Sequence, residues 1–263
     1  MSASKQPQPS PNAATVISLN DVAERYLQVY QRLFDIACFC LASFRKINEE
    51  DYDQMAQQSS VMPKIQSRMD FERAKDATQF WMARNTLSEA LSTIVPLLED
   101  CRTVCALCDY KMTGKADPAL VEKITGPDRQ QFLQLPIPEK FAQLKKKYGI
   151  ESELEDHVQS LLDLTKALVL KDGKLTNEEA RNGKLTLKLR MITVMQAPAQ
   201  SQGGEPILGL TRRMTDHVRD IAVGDKIELS RAEAIGGLIT IAGFLATMLQ
   251  GVQAYAKKVG ASE

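Results

Sequence analysis

The sequence predicts a mainly α-helical protein with a small β insert before a long apolar C-terminal helix. Apolar residues recur at spacings of three and four over most of the chain, which is the period of amphipathic helices. Between residues 184 and 194, in KLTLKLRMITV, leucines instead alternate with polar residues, which is the period of a half-buried strand. The most apolar stretch of the chain comes after this segment, so the strands precede the last helix.

The last helix is predicted over residues 230–258, and its apolar part, residues 234–256, contains no charge. Ser230 and Glu233 have the spacing of a capping box, in which each residue satisfies a free amide of the first turn. Apolar side chains cover most of the helix circumference, which is typical of the centre of a helical core. The same length could cross a bilayer, so a membrane anchor is the alternative.

The remaining elements follow from periodicity and from turn residues. Helices are predicted at about residues 18–47, 70–96, 97–112, 139–148 and 151–170, with Ser18 as the first cap and with Pro96 and Gly149 ending two of them. Residues 48–60 are predicted to connect helices, and residues 124–136 have a mixed pattern. After the strand at 184–194 we expect a flexible loop at 197–206, and short strands at 217–222 and 226–229 joined by Gly224 and Asp225.

Composition limits the classes of function. The 33 Lys and Arg residues equal the 33 Asp and Glu residues, so no overall charge attracts nucleic acid or a membrane surface. Residues 1–17 are rich in Pro, Ser, Gln and Ala, which predicts a disordered tail without a secretory signal. Five cysteines, an odd number, favour a reducing compartment over a disulfide framework. We therefore expect a cytoplasmic protein with a single domain over residues 18–263.

Two motifs resemble metal sites, but each has a structural interpretation that fits better. Cys101, Cys105 and Cys108 have the C-x3-C-x2-C spacing of some iron–sulfur sites. No fourth ligand follows them, and offsets of four and three place all three on one helix face, where cysteine packs as a small apolar residue. We therefore assign the three cysteines to the helical core.

The segment KDGKLTNEE resembles the second half of a calcium loop, with Gly173 and Glu179 in the expected relation. The positions of the first two acidic ligands hold Leu168 and Leu170 instead, so the segment is interpreted as a helix end followed by a turn. No metal and no cofactor are predicted.

The two histidines are the only side chains whose ordinary pKa suits proton transfer near neutral pH. His157 lies on the charged side of its predicted helix and is expected to be solvated. His217 follows Arg212 at an Arg-x4-His spacing. Such a pair could stabilise negative charge and move a proton during RNA cleavage.

Basic residues are concentrated between residues 166 and 190. This stretch is either a surface that contacts phosphates or the solvated face of the small sheet. The residues predicted to bind RNA in the first case are Lys166, Lys171, Lys174, Lys184, Lys188 and Arg190.

Several segments resemble the prokaryotic branch of the HEPN family, the higher-eukaryote and prokaryote nucleotide-binding domain. They are FERAKDATQFWMARNTLSEALSTIVPLL, LLDLTKALVLKDGKLTNEEARNGKLTLKLR, VGDKIELSRAEA and TIAGFLATMLQGVQAYA. The resemblance implies an antiparallel helical bundle that pairs as a homodimer, with the last helix in the core and the dimer interface. It also suggests a role in a prokaryotic defence or stress system.

Active members of that family carry an Arg, a polar residue, three further residues and a His. The matching positions here are Thr165, Lys166 and Leu170, and all three depart from the pattern. Because leucine cannot exchange a proton, the resemblance implies a non-catalytic domain that dimerises and binds RNA or a protein. The alternatives are a metal-independent endoribonuclease that uses Arg212 and His217, and a membrane-associated protein anchored by residues 234–256.

Overall fold

A computed structural model of the protein describes residues 15–16, 18–57, 69–111, 115–116, 118–199 and 207–261. As predicted, it is mainly α-helical, with a small antiparallel sheet before a long C-terminal helix. The helices are α1 (Leu19–Ser43), α2 (Glu49–Gln57), α3 (Phe71–Ser92), α4 (Ile94–Asp109), α5 (Pro118–Gln134), α6 (Ile137–Tyr148), α7 (Glu155–Leu170) and α8 (Arg231–Lys258). The strands are β1 (Thr15–Val16), β2 (Lys115–Ala116), β3 (Lys184–Ala199) and β4 (Ile207–Ala222).

The chain divides into two compact units. The first contains the described parts of Met1–Tyr26, Val95–Glu151 and Ala246–Glu263, and the second contains the described parts of Leu27–Ile94 and Ser152–Leu245. The expectation of a single domain over residues 18–263 stays a prediction. The predicted tail at residues 1–17 falls outside the described residues except for β1, and the predicted loop at residues 197–206 falls outside them from residue 200.

The helices of the structure differ from the sequence-based expectations at three places. The expected connection at residues 48–60 contains α2, because Asn48 Oδ1 accepts the amide of Asp51 and acidic residues fill the first turn. The helix expected to reach Pro96 ends at Ser92, and the proline lies in the first turn of α4, where it needs no amide partner. Residues 124–136 are mostly α5, whose period is interrupted by an internal proline, Pro127.

The insert is one long hairpin, paired from Lys184 with Ala222 to Ala199 with Ile207. The strand predicted at residues 184–194 is confirmed and extends further. The strand predicted at residues 217–222 is too short, because these residues are the end of the longer strand β4. The strand predicted at residues 226–229 is wrong. Residues there contact the loop after α7 instead, where the Ile227 amide donates to Gly173 O at 2.7 Å.

In the first unit, the predicted core position of the cysteines is confirmed. Cys101, Cys105 and Cys108 are all buried on α4. Burial raises the pKa of the Cys101 thiol to about 12, so this thiol stays protonated and packs as an apolar group. The end predicted for α6 is also confirmed, because Gly149 follows it with φ of +70°, a conformation that favours glycine.

In the second unit, β3 packs against α7 and α8. Leu185, Leu187 and Leu189 are buried, as the alternating pattern predicts. On the edge of β3 that does not face β4, two helix hydroxyls accept backbone amides. Ser160 Oγ accepts the Lys188 amide at 3.1 Å, and Thr240 Oγ1 accepts the Arg190 amide at 2.7 Å. The edge of β3 is therefore satisfied by helix side chains.

The predicted capping box at the start of α8 is confirmed. The Ser230 amide donates to Glu233 Oε2 at 2.8 Å, and the Glu233 amide donates to Ser230 Oγ at 3.2 Å. Gly237 permits close packing, because a Cβ atom there would lie 2.5 Å from Leu87 Cδ2 on α3. Among the described helices, α8 alone is long and apolar enough to cross a membrane, but 50% of its most apolar window is buried inside the protein.

Glu233 also joins the hairpin to α8. Its carboxylate is 6% exposed, and Oε1 lies 3.1 Å from Arg219 Nε and 3.5 Å from His217 Nε2 on β4. One buried carboxylate therefore caps the helix through one oxygen and pairs with the strand through the other.

Replacing Glu233 with alanine removes the carboxylate that accepts the Ser230 amide and leaves Arg219 without its anion. We expect the free energy of unfolding to fall by about 2 kcal/mol, since losing half of a capping box and a partly buried ion pair each destabilise a protein. Urea denaturation of the full chain measures this loss. The control is Glu153→Ala, whose exposed pair with Arg190 should contribute at most about 1 kcal/mol. Equal losses in the two variants would contradict the role given to Glu233.

Candidate functional site

The three positions that correspond to the HEPN motif lie on the last turns of α7. Thr165 is buried, Lys166 Nζ pairs with Asp163 Oδ1 at 3.2 Å, and Leu170 is 72% exposed at the helix end. Neither Thr165 nor Leu170 can act as a general base near neutral pH.

Arg212 and His217 both lie on β4 but do not meet within one chain. Residues five apart on a strand point to opposite faces and are separated by about 16 Å. Arg212 is exposed and lies opposite Val194, whereas His217 faces Glu233 on the helix side of the hairpin. A reaction that uses both side chains would need a second copy to supply one of them.

His157 is not solvated, and this prediction is wrong. Its side chain is 14% exposed, and Nε2 lies 3.7 Å from Asp216 Oδ1 on β4. Burial lowers the pKa of His157 below its ordinary value; nearby Asp216 and Asp156 oppose this shift, and Lys188 and Arg190 add to it. The helical pattern could not reveal this burial, because the hairpin provides the cover.

The basic residues of β3 are held in ion pairs. Lys184 pairs with Asp220, and Lys188 Nζ lies 2.8 Å from Asp156 Oδ2. Arg190 contacts two carboxylates, with Nη2 2.8 Å from Glu153 Oε1 and Nε 3.4 Å from Asp216 Oδ1. Cation and anion alternate across this face of the hairpin.

The basic residues on and after α7 are also mostly paired. Lys166 contacts Asp163, and Lys171 Nζ lies 2.8 Å from Glu178 Oε2. Lys174 has no acidic partner within the described ranges. A phosphate backbone would therefore compete with a carboxylate at five of the six positions predicted to bind RNA. Each exposed pair is weak on its own, but together they leave little net positive charge for counterion release.

Sequence reasoning missed the acidic half of this surface. Glu153 and Asp156 precede the basic stretch, while Asp216 and Asp220 follow it on β4. Counting charges only between residues 166 and 190 therefore overestimated the positive potential. The available signal was the alternation on β4, which places Asp216 and Asp220 on one face of the strand.

A separate feature is an apolar surface on α1, which we name the α1 patch and define as Ile36 and Phe39. Their side chains are 47% and 74% exposed. Residues three apart are neighbours on a helix surface, so the two form one continuous patch. Aromatic side chains such as Phe39 are enriched at the centres of protein interfaces.

The burial of His157 predicts a pH dependence of stability. Because its pKa is held below the ordinary 6.5, the unfolded chain binds a proton more readily than the folded chain. The stability contributed by the neutral imidazole is full above pH 6.5 and is lost as pH falls below that value toward the folded pKa. We expect the urea concentration at the unfolding midpoint to be lower at about pH 5.5 than at about pH 7. This difference should be smaller in His157→Gln. Parallel pH profiles for the two proteins would contradict this assignment.

No family model matches the sequence, and the comparisons with curated proteins and with solved structures find no match.

Proposed function

We propose that the protein is a non-catalytic, HEPN-like helical protein that forms a homodimer through the α1 patch and acts by binding another protein. The observation that carries this proposal is the exposure of Ile36 and Phe39 on adjacent turns of α1. Single exposed apolar side chains are ordinary on a protein surface, but a continuous aromatic and aliphatic pair favours burial against a partner.

The placement of the candidate catalytic residues supports a non-catalytic role. Leu170 stands where proton transfer would require a histidine. Arg212 and His217 point to opposite faces of β4, so they cannot act together on one phosphate within a chain. His217 faces a buried carboxylate at the base of α8, which gives it a role in packing.

The ion pairs of the hairpin favour a protein partner over RNA. RNA binding draws much of its affinity from unpaired Lys and Arg that replace counterions. Carboxylates of the same chain already pair with Lys184, Lys188 and Arg190. A face with alternating charges is better suited to a protein surface of complementary pattern.

Under this proposal α8 is a core helix of a cytoplasmic protein. Its buried side chains support this role, and they include Leu238, Ile241, Phe244, Leu245, Met248 and Val252. The resemblance to prokaryotic HEPN proteins suggests that the partner belongs to a defence or stress system.

The proposal predicts that Phe39→Glu converts a dimer to a monomer. A charge at the centre of an apolar interface would have to be buried without a partner, which strongly disfavours association. Sedimentation velocity over a concentration series measures the change, and circular dichroism checks that the helices remain. Tyr110→Glu, at an exposed position after α4, is the control and should remain a dimer.

A monomeric wild-type protein at all concentrations, or dissociation by Tyr110→Glu alone, would contradict dimerisation through the α1 patch.

The two alternatives, RNA binding and ribonuclease activity, are tested by incubating the protein with a structured RNA in EDTA. A salt-sensitive shift on a native gel would establish RNA binding. Cleavage that disappears in His217→Ala would establish the ribonuclease.

A further inference from the structure

A groove of about 520 Å³ lies in the second unit between α1 and α8. One wall is a stripe of α1 that includes Phe34, Cys38 and Leu41, and the other is a stripe of α8 that includes Ile235 and Ile239. Both stripes follow helical spacing and are almost wholly apolar. The volume falls within the range of small-molecule sites.

The direction of α1 follows from its contacts with α3. At one end, the Tyr30 hydroxyl donates to Ala90 O at 3.1 Å. At the other end, Phe44 lines a small cavity together with Ala74. Residue numbers rise along α1 as they fall along α3, so the two helices are antiparallel.

The direction of α8 follows in the same way. Arg231 Nε donates to Gln79 Oε1 at 3.3 Å, and Gly237 lies against Leu87. Residue numbers rise in the same direction along α8 and α3, so these two helices are parallel. Because α1 is antiparallel to α3, it is also antiparallel to α8. The end of α1 and the start of α8 therefore lie at the same end of the groove, so Arg45 and Arg231 both belong to that end.

The groove thus has one cationic end, and the rest of it is apolar. Arg45 and Arg231 both line it, and neither has an acidic partner in the part of the chain that the structure describes. A guanidinium group matches a carboxylate through two parallel hydrogen bonds. Charge at one end and apolar walls along the rest are complementary to an anionic, single-chain amphiphile.

We propose that this groove binds a long-chain fatty acid, with its carboxylate at Arg45 and Arg231 and its acyl chain along Phe34, Cys38 and Ile235. From Phe34 to Arg45 the helix rises about 16 Å, the length of an extended chain of roughly twelve to fourteen carbons.

The site goes beyond the proposed dimer and uses a different side of α1. Ile36 is two residues from both Phe34 and Cys38, which places it about 160° away around the helix. Ligand binding and dimerisation can therefore fail independently. Ile36→Glu should abolish the dimer and leave fatty-acid binding unchanged, while a groove variant should do the reverse.

The test is a titration of the full-length, delipidated protein with the fluorescent probe 11-(dansylamino)undecanoic acid, followed by displacement with myristate. We expect saturable binding of one probe per chain. Ile235→Trp fills the groove and should weaken binding of the probe and of myristate at least about tenfold. Arg45→Gln combined with Arg231→Gln should weaken myristate binding by a similar factor and leave binding of the uncharged 1-tetradecanol nearly unchanged.

If Ile235→Trp does not fold, Ala232→Trp tests the same groove from a more exposed position of α8. Unchanged binding in a folded tryptophan variant would overturn the site. Equal affinity of the wild-type protein for myristate and 1-tetradecanol would overturn the assignment of the carboxylate. Binding to anionic phosphatidylglycerol vesicles without binding of monomeric myristate would replace the fatty acid with a membrane surface.

Discussion

The buried carboxylate of Glu233 determines how the second unit is assembled. It caps α8 through one oxygen and holds Arg219 of β4 with the other, so the hairpin and the helix start are positioned by a single side chain. Once α8 begins at this point, its two small residues Gly236 and Gly237 meet β3 and α3 at close range. The groove between α1 and α8 and the packing of the hairpin on α7 both follow from this register.

The charged residues of the hairpin are largely paired within the chain. Its basic residues pair with carboxylates on α7 and on the neighbouring strand, as in the pair of Lys188 with Asp156 and the pair of Arg190 with Asp216. These exposed pairs add little stability one by one, but they remove the free positive charge that a phosphate ligand needs. Apolar surfaces that are suited to association in the described part of the chain include the α1 patch and the groove.

Features that depend on neighbours in sequence were predictable. The alternation of leucines in β3 and the capping box of α8 are local signals, and both are confirmed. The helix α5 was not predicted, because its internal proline, Pro127, interrupts the pattern that identifies a helix. The burial of His157 and the pairing of Lys188 with Asp156, 32 residues away, were not predictable, since they exist only after the hairpin folds onto α7.

The proposed homodimerisation through the α1 patch is tested most directly by hydrogen–deuterium exchange as a function of protein concentration. We expect peptides around Ile36 and Phe39 to gain protection as the concentration rises, because association covers that side of α1. Peptides from the charged part of β3 should exchange at the same rate throughout. Protection of α1 that is independent of concentration, or a gain confined to the hairpin, would contradict the claim.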